Sequence, residues 1–301
     1  MEQPNMDMQP DIIVRATAHN DQLRAFACRT TGVCREAVRI HGLSPAAAAA
    51  FGRLMSGILM LAQDLDQPGD SLTAIVHSDG PIQGMTVIGE QDATVRGTVL
   101  QPVVETHYRA EGKLDIGSAV GRGTLTIIRD MRLKEPYIGR VALVSGEIAE
   151  DMATYLAVSE QIPSVVSLGV KMDRQGITHA GGLIIQLMPE SDEGLAEWLE
   201  GQIADFPDVT TLLETSTSPE EILERLLGAD NVRIHTRIPC AYACPCSRER
   251  MSRNLIAMGR EELSALAQDE QGINLECHFC GRHYHFQKEE VQKLLALSKE
   301  V

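Results

Sequence analysis

The chain has 301 residues, 44% of them apolar, and a formal net charge of −15. That length accommodates one large domain with one or two small ones, and the apolar content supports a real core. The charge argues against a general nucleic-acid or anionic-membrane surface, because phosphate groups attract basic faces.

The start, "MEQPNMDMQPDIIVRA", has acidic and polar residues where a signal peptide carries a basic head and an apolar run, so a cytoplasmic protein is expected. In that reducing compartment clustered cysteines serve metal binding or redox sensing rather than permanent cross-linking. "PAAAAAFGRLMSGILMLA", residues 45–62, is the nearest thing to a membrane segment. Arg53 interrupts it, and the apolar run on either side is shorter than the roughly 20 residues a span requires. Ser44 and Pro45 look like an N-cap and first turn, so this stretch predicts a mostly buried helix and no membrane partner.

From about Ser71 to Pro189 short β-branched runs recur between Gly, Asp and Pro: "LTAIVHSDGP", "GMTVIG", "ATVRGTVL", "GTLTIIRD", "GRVALVSG", "SVVSLGVKMD" and "GGLIIQLMP". They predict strands joined by turns, interrupted by one helix at "AEDMATYLAVSEQIP". The glycine cluster "GSAVGRGTL" reads as a turn into a strand, not a phosphate loop. Runs of strands with few helices make an α+β domain. After Pro189 the sequence turns acidic and loses its strand signal, with two or three short amphipathic helices. In "SPEEILERLLG" Ser218 caps, Pro219 opens the first turn, Glu221 reaches back and Gly228 ends the helix. Helices this short are marginal alone and must lie on something. Trp198, the only tryptophan, falls among them.

The tail from Asn231 is close to neutral, with ten Lys and Arg against nine Asp and Glu. It holds Cys244-Pro245-Cys246 and Cys277-His278-Phe279-Cys280, two close pairs separated by a short, helical stretch. Such pairs can each present two sulfurs to a tetrahedral Zn²⁺, so Cys244, Cys246, Cys277 and Cys280 are the candidate ligands. A tail of this size with few large apolar side chains needs such a staple. Other readings stay open. A thioredoxin-like dithiol is disfavoured because "CHFC" does not follow a strand and open a long helix near a βαβ pattern. A nucleic-acid-binding zinc ribbon could use Arg248, Arg250, Arg253, Arg260 and Arg282, though glutamates are interleaved. His278, His283 and His285 read as surface or supporting groups, since four sulfurs already close a structural site. Cys240 reads as a spare thiol that could compete as ligand or disulfide partner, and Cys28 and Cys34 as ordinary core residues. No nucleophile elbow, P-loop or zinc-protease motif is present.

"CPCSRER" followed by "CHFC" resembles the C-x-C and C-x-x-C signature of the bacterial redox-regulated holdase chaperones, the 33 kDa heat shock protein family. "HSDGPIQGMTVIG", "VGRGTLTI", "YLAVSEQIPS" and "AGGLIIQLMP" extend the resemblance over nearly the whole chain. The resemblance implies an α+β core over residues 1–190, a metastable helical linker over 191–236 and a zinc-binding redox-switch domain over 237–301. It implies one Zn²⁺ per chain in the reduced state on Cys244, Cys246, Cys277 and Cys280. On oxidation it implies disulfides Cys244–Cys246 and Cys277–Cys280, loss of zinc and unfolding of the linker. The implied protein is not an enzyme. It is an ATP-independent holdase that binds unfolding client proteins and forms a homodimer when oxidised. Candidate residues exposed by the change are Leu195, Trp198, Leu199, Ile203, Leu212, Leu213, Ile222, Leu223, Leu226 and Leu227.

Overall fold

The computed structural model describes residues 9–110, 112–215 and 217–298, so the first eight residues of the acidic start lie outside the described residues. The chain divides into two compact units, Met1–Tyr242 and Ala243–Val301.

The first unit opens with β1 (Ile12–Ala18), β2 (Leu23–Arg29), α1 (Thr31–His41) and α2 (Pro45–Leu61). β3 (Ser71–Ser78), β4 (Gly84–Glu90), β5 (Thr94–Val99), α3 (Ile116–Val120), β6 (Gly123–Asp130) and β7 (Tyr137–Ala142) follow. Next come α4 (Ala149–Val158), β8 (Ser164–Asp173) and β9 (Gly176–Leu187). Three short helices, α5 (Leu195–Ala204), α6 (Val209–Glu214) and α7 (Pro219–Leu227), lead to β10 (Val232–Pro239) and β11 (Ala241–Tyr242). The strands form one sheet of order β10-β1-β2-β9-β8 and another of order β11-β5-β4-β3-β6-β7. This is the α+β fold expected.

The two sheets share α2. Its glycines let a strand approach closely: a Cβ at Gly52 would lie 2.8 Å from a Val170 methyl of β8. Phe51, Leu54, Ile58 and Leu59 are fully buried in a core that takes Leu72, Val87 and Ile127 from one sheet and Ile13, Phe26 and Ile184 from the other. Among the described residues one helix is long and apolar enough to cross a bilayer; it is this one, and its window is 89% buried inside the unit. Ser44 occupies the N-cap, but its hydroxyl accepts from the Val104 amide at 3.1 Å instead of capping the helix.

Strand alternation gives the five-stranded sheet two apolar faces. Val14, Ala16, Ala18, Leu23, Ala25, Ala27, Leu183 and Ile185 point away from α2 into a second core, roofed by α5, α6 and α7. Ile222, Leu223, Leu226 and Leu227 form the apolar stripe of α7 on that face, with exposures of 0–1%. Leu195, Leu199, Leu212 and Leu213 are buried with them, while Trp198 and Ile203 are half-buried. The Trp198 ring meets His19 edge-on with centroids 4.4 Å apart. The capping box forms as expected, Ser218 Oγ accepting from Glu221 N and Glu221 from Ser218 N.

The unit boundary falls after Tyr242, a few residues later than the sequence boundary at 236. β10 is zippered antiparallel onto β1, and β11 pairs with β5, which binds residues 237–242 to the first unit. Leu187, Leu23, Ala18 and Val232 stand in one row across β9, β2, β1 and β10, so the ends of the helical segment are fixed to the same sheet.

The second unit contains α8 (Arg248–Ala257), α9 (Arg260–Leu266), β12 (Ile273–Glu276), β13 (His283–Phe286) and α10 (Lys288–Leu297). Its own small core comprises Leu255, Leu263, Ile273, Phe286 and Val291 beside the cysteines. Two helices and a strand thus separate the cysteine pairs where the sequence predicts a short helical stretch.

Candidate metal centre

The two cysteine pairs are presented by different local devices. Cys244, Pro245 and Cys246 run into α8, whose N-cap Ser247 accepts a hydrogen bond from Arg250 N at 3.2 Å and so fixes the start of the helix beside the sulfurs. Cys277 and Cys280 stand on the knuckle between β12 and β13. The Cys277 carbonyl accepts from Cys280 N at 3.1 Å and Gly281 N at 2.8 Å, and Cys277 N donates to the Arg282 carbonyl at 3.0 Å. Gly281 closes the turn at φ +68°, a conformation that favours a residue without Cβ.

These devices converge. Cys244 Sγ lies 3.7 Å from Cys277 Sγ, and Cys246 Sγ 3.3 Å from Cys280 Sγ. All four sulfurs lie within 4.8 Å of one another. Four thiolates about 2.3 Å from a central tetrahedral metal would be about 3.8 Å apart, so the donor set fits such an ion. Thiolate-only tetrahedra suit zinc or iron. "CHFC" does follow a strand, but it turns back into β13 and opens no helix, unlike a thioredoxin-type dithiol.

The thiols differ in acidity. Burial pushes Cys244 up, and burial raises Cys280 to about 11. Burial also opposes ionisation of Cys246, yet hydrogen bonds led by Tyr284 bring it down to about 7. Tyr284 Oη donates to Cys246 Sγ at 3.1 Å, and Arg282 Nη1 donates to the Cys246 carbonyl at 3.3 Å. Sequence reasoning missed Tyr284. The alternation in "HYHF" held the signal, since a strand beside the knuckle turns one residue in two toward the sulfurs. Tyr284→Phe keeps all four ligands but removes a supporting hydrogen bond, and is expected to lower metal affinity about tenfold in a competition titration against a colorimetric chelator.

The remaining candidates lie elsewhere. His278, His283 and His285 are exposed and outside the cluster, and His285 shares a hydrogen bond with Asn274. Cys240 is buried in the first unit, its sulfur 3.8 Å from the Arg29 carbonyl, and burial pushes its thiol up. Cys28 and Cys34 are buried, Cys28 Sγ facing the Ser56 carbonyl and Cys34 Sγ the Thr30 hydroxyl, each at 4.0 Å, and burial holds Cys28 well above the usual thiol range and Cys34 at about 12. All three lack the thiolate character of a reactive cysteine. Of the arginines weighed for nucleic acid, Arg248 grips Glu290 with two 2.8 Å bonds and covers the Phe286 ring, and Arg260 reaches the Ser298 carbonyl. With Arg282 also engaged, the basic surface is thinner than the sequence suggests.

A family model described as Hsp33 protein matches residues 11–287. The chain is 44% identical over 285 residues to a 33 kDa chaperonin of Ruminiclostridium cellulolyticum, covering 95% of this chain and 98% of the relative. It is 43% identical over 288 residues to a 33 kDa chaperonin of Acetivibrio thermocellus, covering 95% and 97%. The fold is similar to the crystal structure of the Thermotoga maritima 33 kDa chaperonin, a heat shock protein 33 homolog, with a TM-score of 0.87, 33% identity, and coverage of 96% of this chain and 99% of that one.

Proposed function

Because the chain belongs to the Hsp33 family, we propose that it is a redox-regulated, ATP-independent holdase of the cytoplasm, at rest when reduced and zinc-bound, and a chaperone rather than an enzyme. The observation that carries this reading is that one compact unit holds the four-sulfur cluster, while in the other a chain segment of short helices roofs an apolar sheet face. Zn²⁺ on Cys244, Cys246, Cys277 and Cys280 would supply folding energy to the tail, on the order of 10–16 kcal/mol.

Thiolates hold a metal and disulfides do not. Cys244 with Cys246, and Cys277 with Cys280, would each yield two electrons to one equivalent of hydrogen peroxide, which takes up two protons and leaves as two waters. The near-neighbour pairing follows the family pattern, and with all four sulfurs within 4.8 Å of one another it is within reach. With its ligands consumed the tail loses its staple, and the linker, built from helices too short to persist alone, is the part that changes order. Its departure would uncover Val14, Leu23, Leu183 and Ile185 together with the stripes of α5 to α7, a contiguous apolar surface suited to unfolding proteins or, in the oxidised state, to a second copy.

The test is light scattering from a thermally unfolding protein in the presence of reduced, zinc-loaded chain or of chain treated with peroxide and gentle warming. Suppression by the oxidised sample alone, reversed by thiol reductant and zinc, is the expected result. Aggregation that proceeds equally in both samples would sink the reading.

A further inference from the structure

A cavity of about 720 Å³ opens in the first unit along β8, the last strand of the five-stranded sheet. Among the described residues no strand pairs with the outer side of β8. Residues 167–174 line the cavity in unbroken succession. Leu168 and Val170 turn toward α2, whereas Gly169 meets the Thr210 methyl of α6 and Lys171 pairs with Glu214 at the end of α6. A wall that shows both faces of a strand in turn is its edge, where backbone N–H and C=O groups lack a ladder partner. At about 3.3 Å per residue the seven of these that lie in β8 offer ~23 Å of such edge.

Charge says what fits there. The cavity is lined as well by the loop carrying Arg109 and Lys113 and by the first turn of α6. Lys113 Nζ meets Asp208, the N-cap of α6, at 3.0 Å, so both lysines of the groove are neutralised by carboxylates that belong to α6. Arg174 is exposed and has no ion pair among the described residues. Departure of α6 would leave three unpaired cations along an open strand edge, on a chain whose net charge is −15.

We propose that the outer edge of β8 takes up an extended, carboxylate-bearing segment of polypeptide as an added strand, and that α6 gates this groove by lending it Asp208 and Glu214 in the resting state. Backbone pairing supplies the affinity, and side chains alternating along the added strand place carboxylates against Lys113, Lys171 and Arg174. The identification of that segment as part of an unfolding client, and the opening of the gate on oxidation, rest on the holdase reading; the groove and the carboxylates that α6 lends it do not.

The probe is a blocked eight-residue peptide of alternating valine and glutamate, followed by fluorescence anisotropy with the full-length chain and by amide hydrogen exchange of β8. The oxidised chain is expected to bind it at least tenfold more tightly than the reduced chain. Asp208→Asn with Glu214→Gln is expected to raise binding to the reduced, zinc-loaded chain at least fivefold. N-methylation of alternate amides along one edge of the peptide should abolish binding, the same change along the other edge should not, and β8 amides should slow on binding. Equal binding of the two N-methylated peptides, equal binding of a valine–lysine peptide, or unchanged exchange in β8 would overturn the proposal. A chain that suppresses client aggregation while β8 stays unprotected refutes this inference and leaves the holdase reading intact. Peptide capture on β8 by the Asp208/Glu214 variant, with no suppression of aggregation in either redox state, does the reverse.

Discussion

Removing the metal from the reduced chain is expected to melt the Ala243–Val301 unit and leave the α2-centred core folded. The tail core is a handful of side chains around Leu255, Leu263, Phe286 and Val291, in a unit below the ~70–80 residues at which apolar burial alone suffices. Loss of about 10–16 kcal/mol of metal binding exceeds any stability a core of that size provides. Chelator titration with tail amide resonances as readout should show loss of dispersion at one equivalent, while Trp198 fluorescence reports the linker separately. The transition should depend steeply on pH. Every ligand thiol must give up its proton to bind metal, and burial in the folded tail raises Cys244 and Cys280 further, so apparent affinity should fall by well over tenfold per pH unit on acidification below the thiol range. A tail that retains its dispersed resonances without metal would contradict this account.

Leu223→Ala with Leu226→Ala is expected to make the reduced, zinc-loaded chain an active holdase. Both side chains are at most 1% exposed and belong to the stripe that α7 lays on the sheet face carrying Val14, Ala16 and Leu23. Each truncation costs roughly 2–5 kcal/mol in a packed site, and the linker has little else to hold it. Opening of residues 191–231 should appear as fast amide exchange, and light scattering should show suppression without oxidant. Leu54→Ala is the control: it cuts the core around α2 by a similar amount and should lower melting temperature without conferring activity. Fast linker exchange with no suppression would show that uncovering this face is not sufficient.

Much of this was legible before any coordinates. The pair spacing around Cys244 and Cys277 anticipates that the four sulfurs cluster, because two close pairs on tight local turns are a property of short segments. The capping box at Ser218 and the strands from Ser71 to Pro189 were local as well. β1, with its β-branched IIVRATA, and β2 lie outside the stretch from Ser71 to Pro189 where strands are expected, and β10 could not be recognised as a sheet strand, because its partner lies over 200 residues away and its exposed side chains break the alternation. The unit boundary shifted for the same reason. Tyr284 reached Cys246 only once β13 had its register against β12. The sequence listed the linker leucines but not the second apolar face beneath them, which exists because Ala25 and Ala27 alternate with Phe26 and Cys28 on one strand.

The row formed by Leu187, Leu23, Ala18 and Val232 bears on how the linker moves. Three strand spacings of about 4.8 Å pin its two ends ~14 Å apart, whatever happens between them. A melted linker would thus be a closed loop staked at both feet, not a free tail. The entropy of loop closure grows only logarithmically with length, so most of the search needed to re-form the roof is already complete. Release of a bound chain would then be followed by rapid intramolecular re-covering, at an effective concentration no diffusing competitor reaches at low abundance.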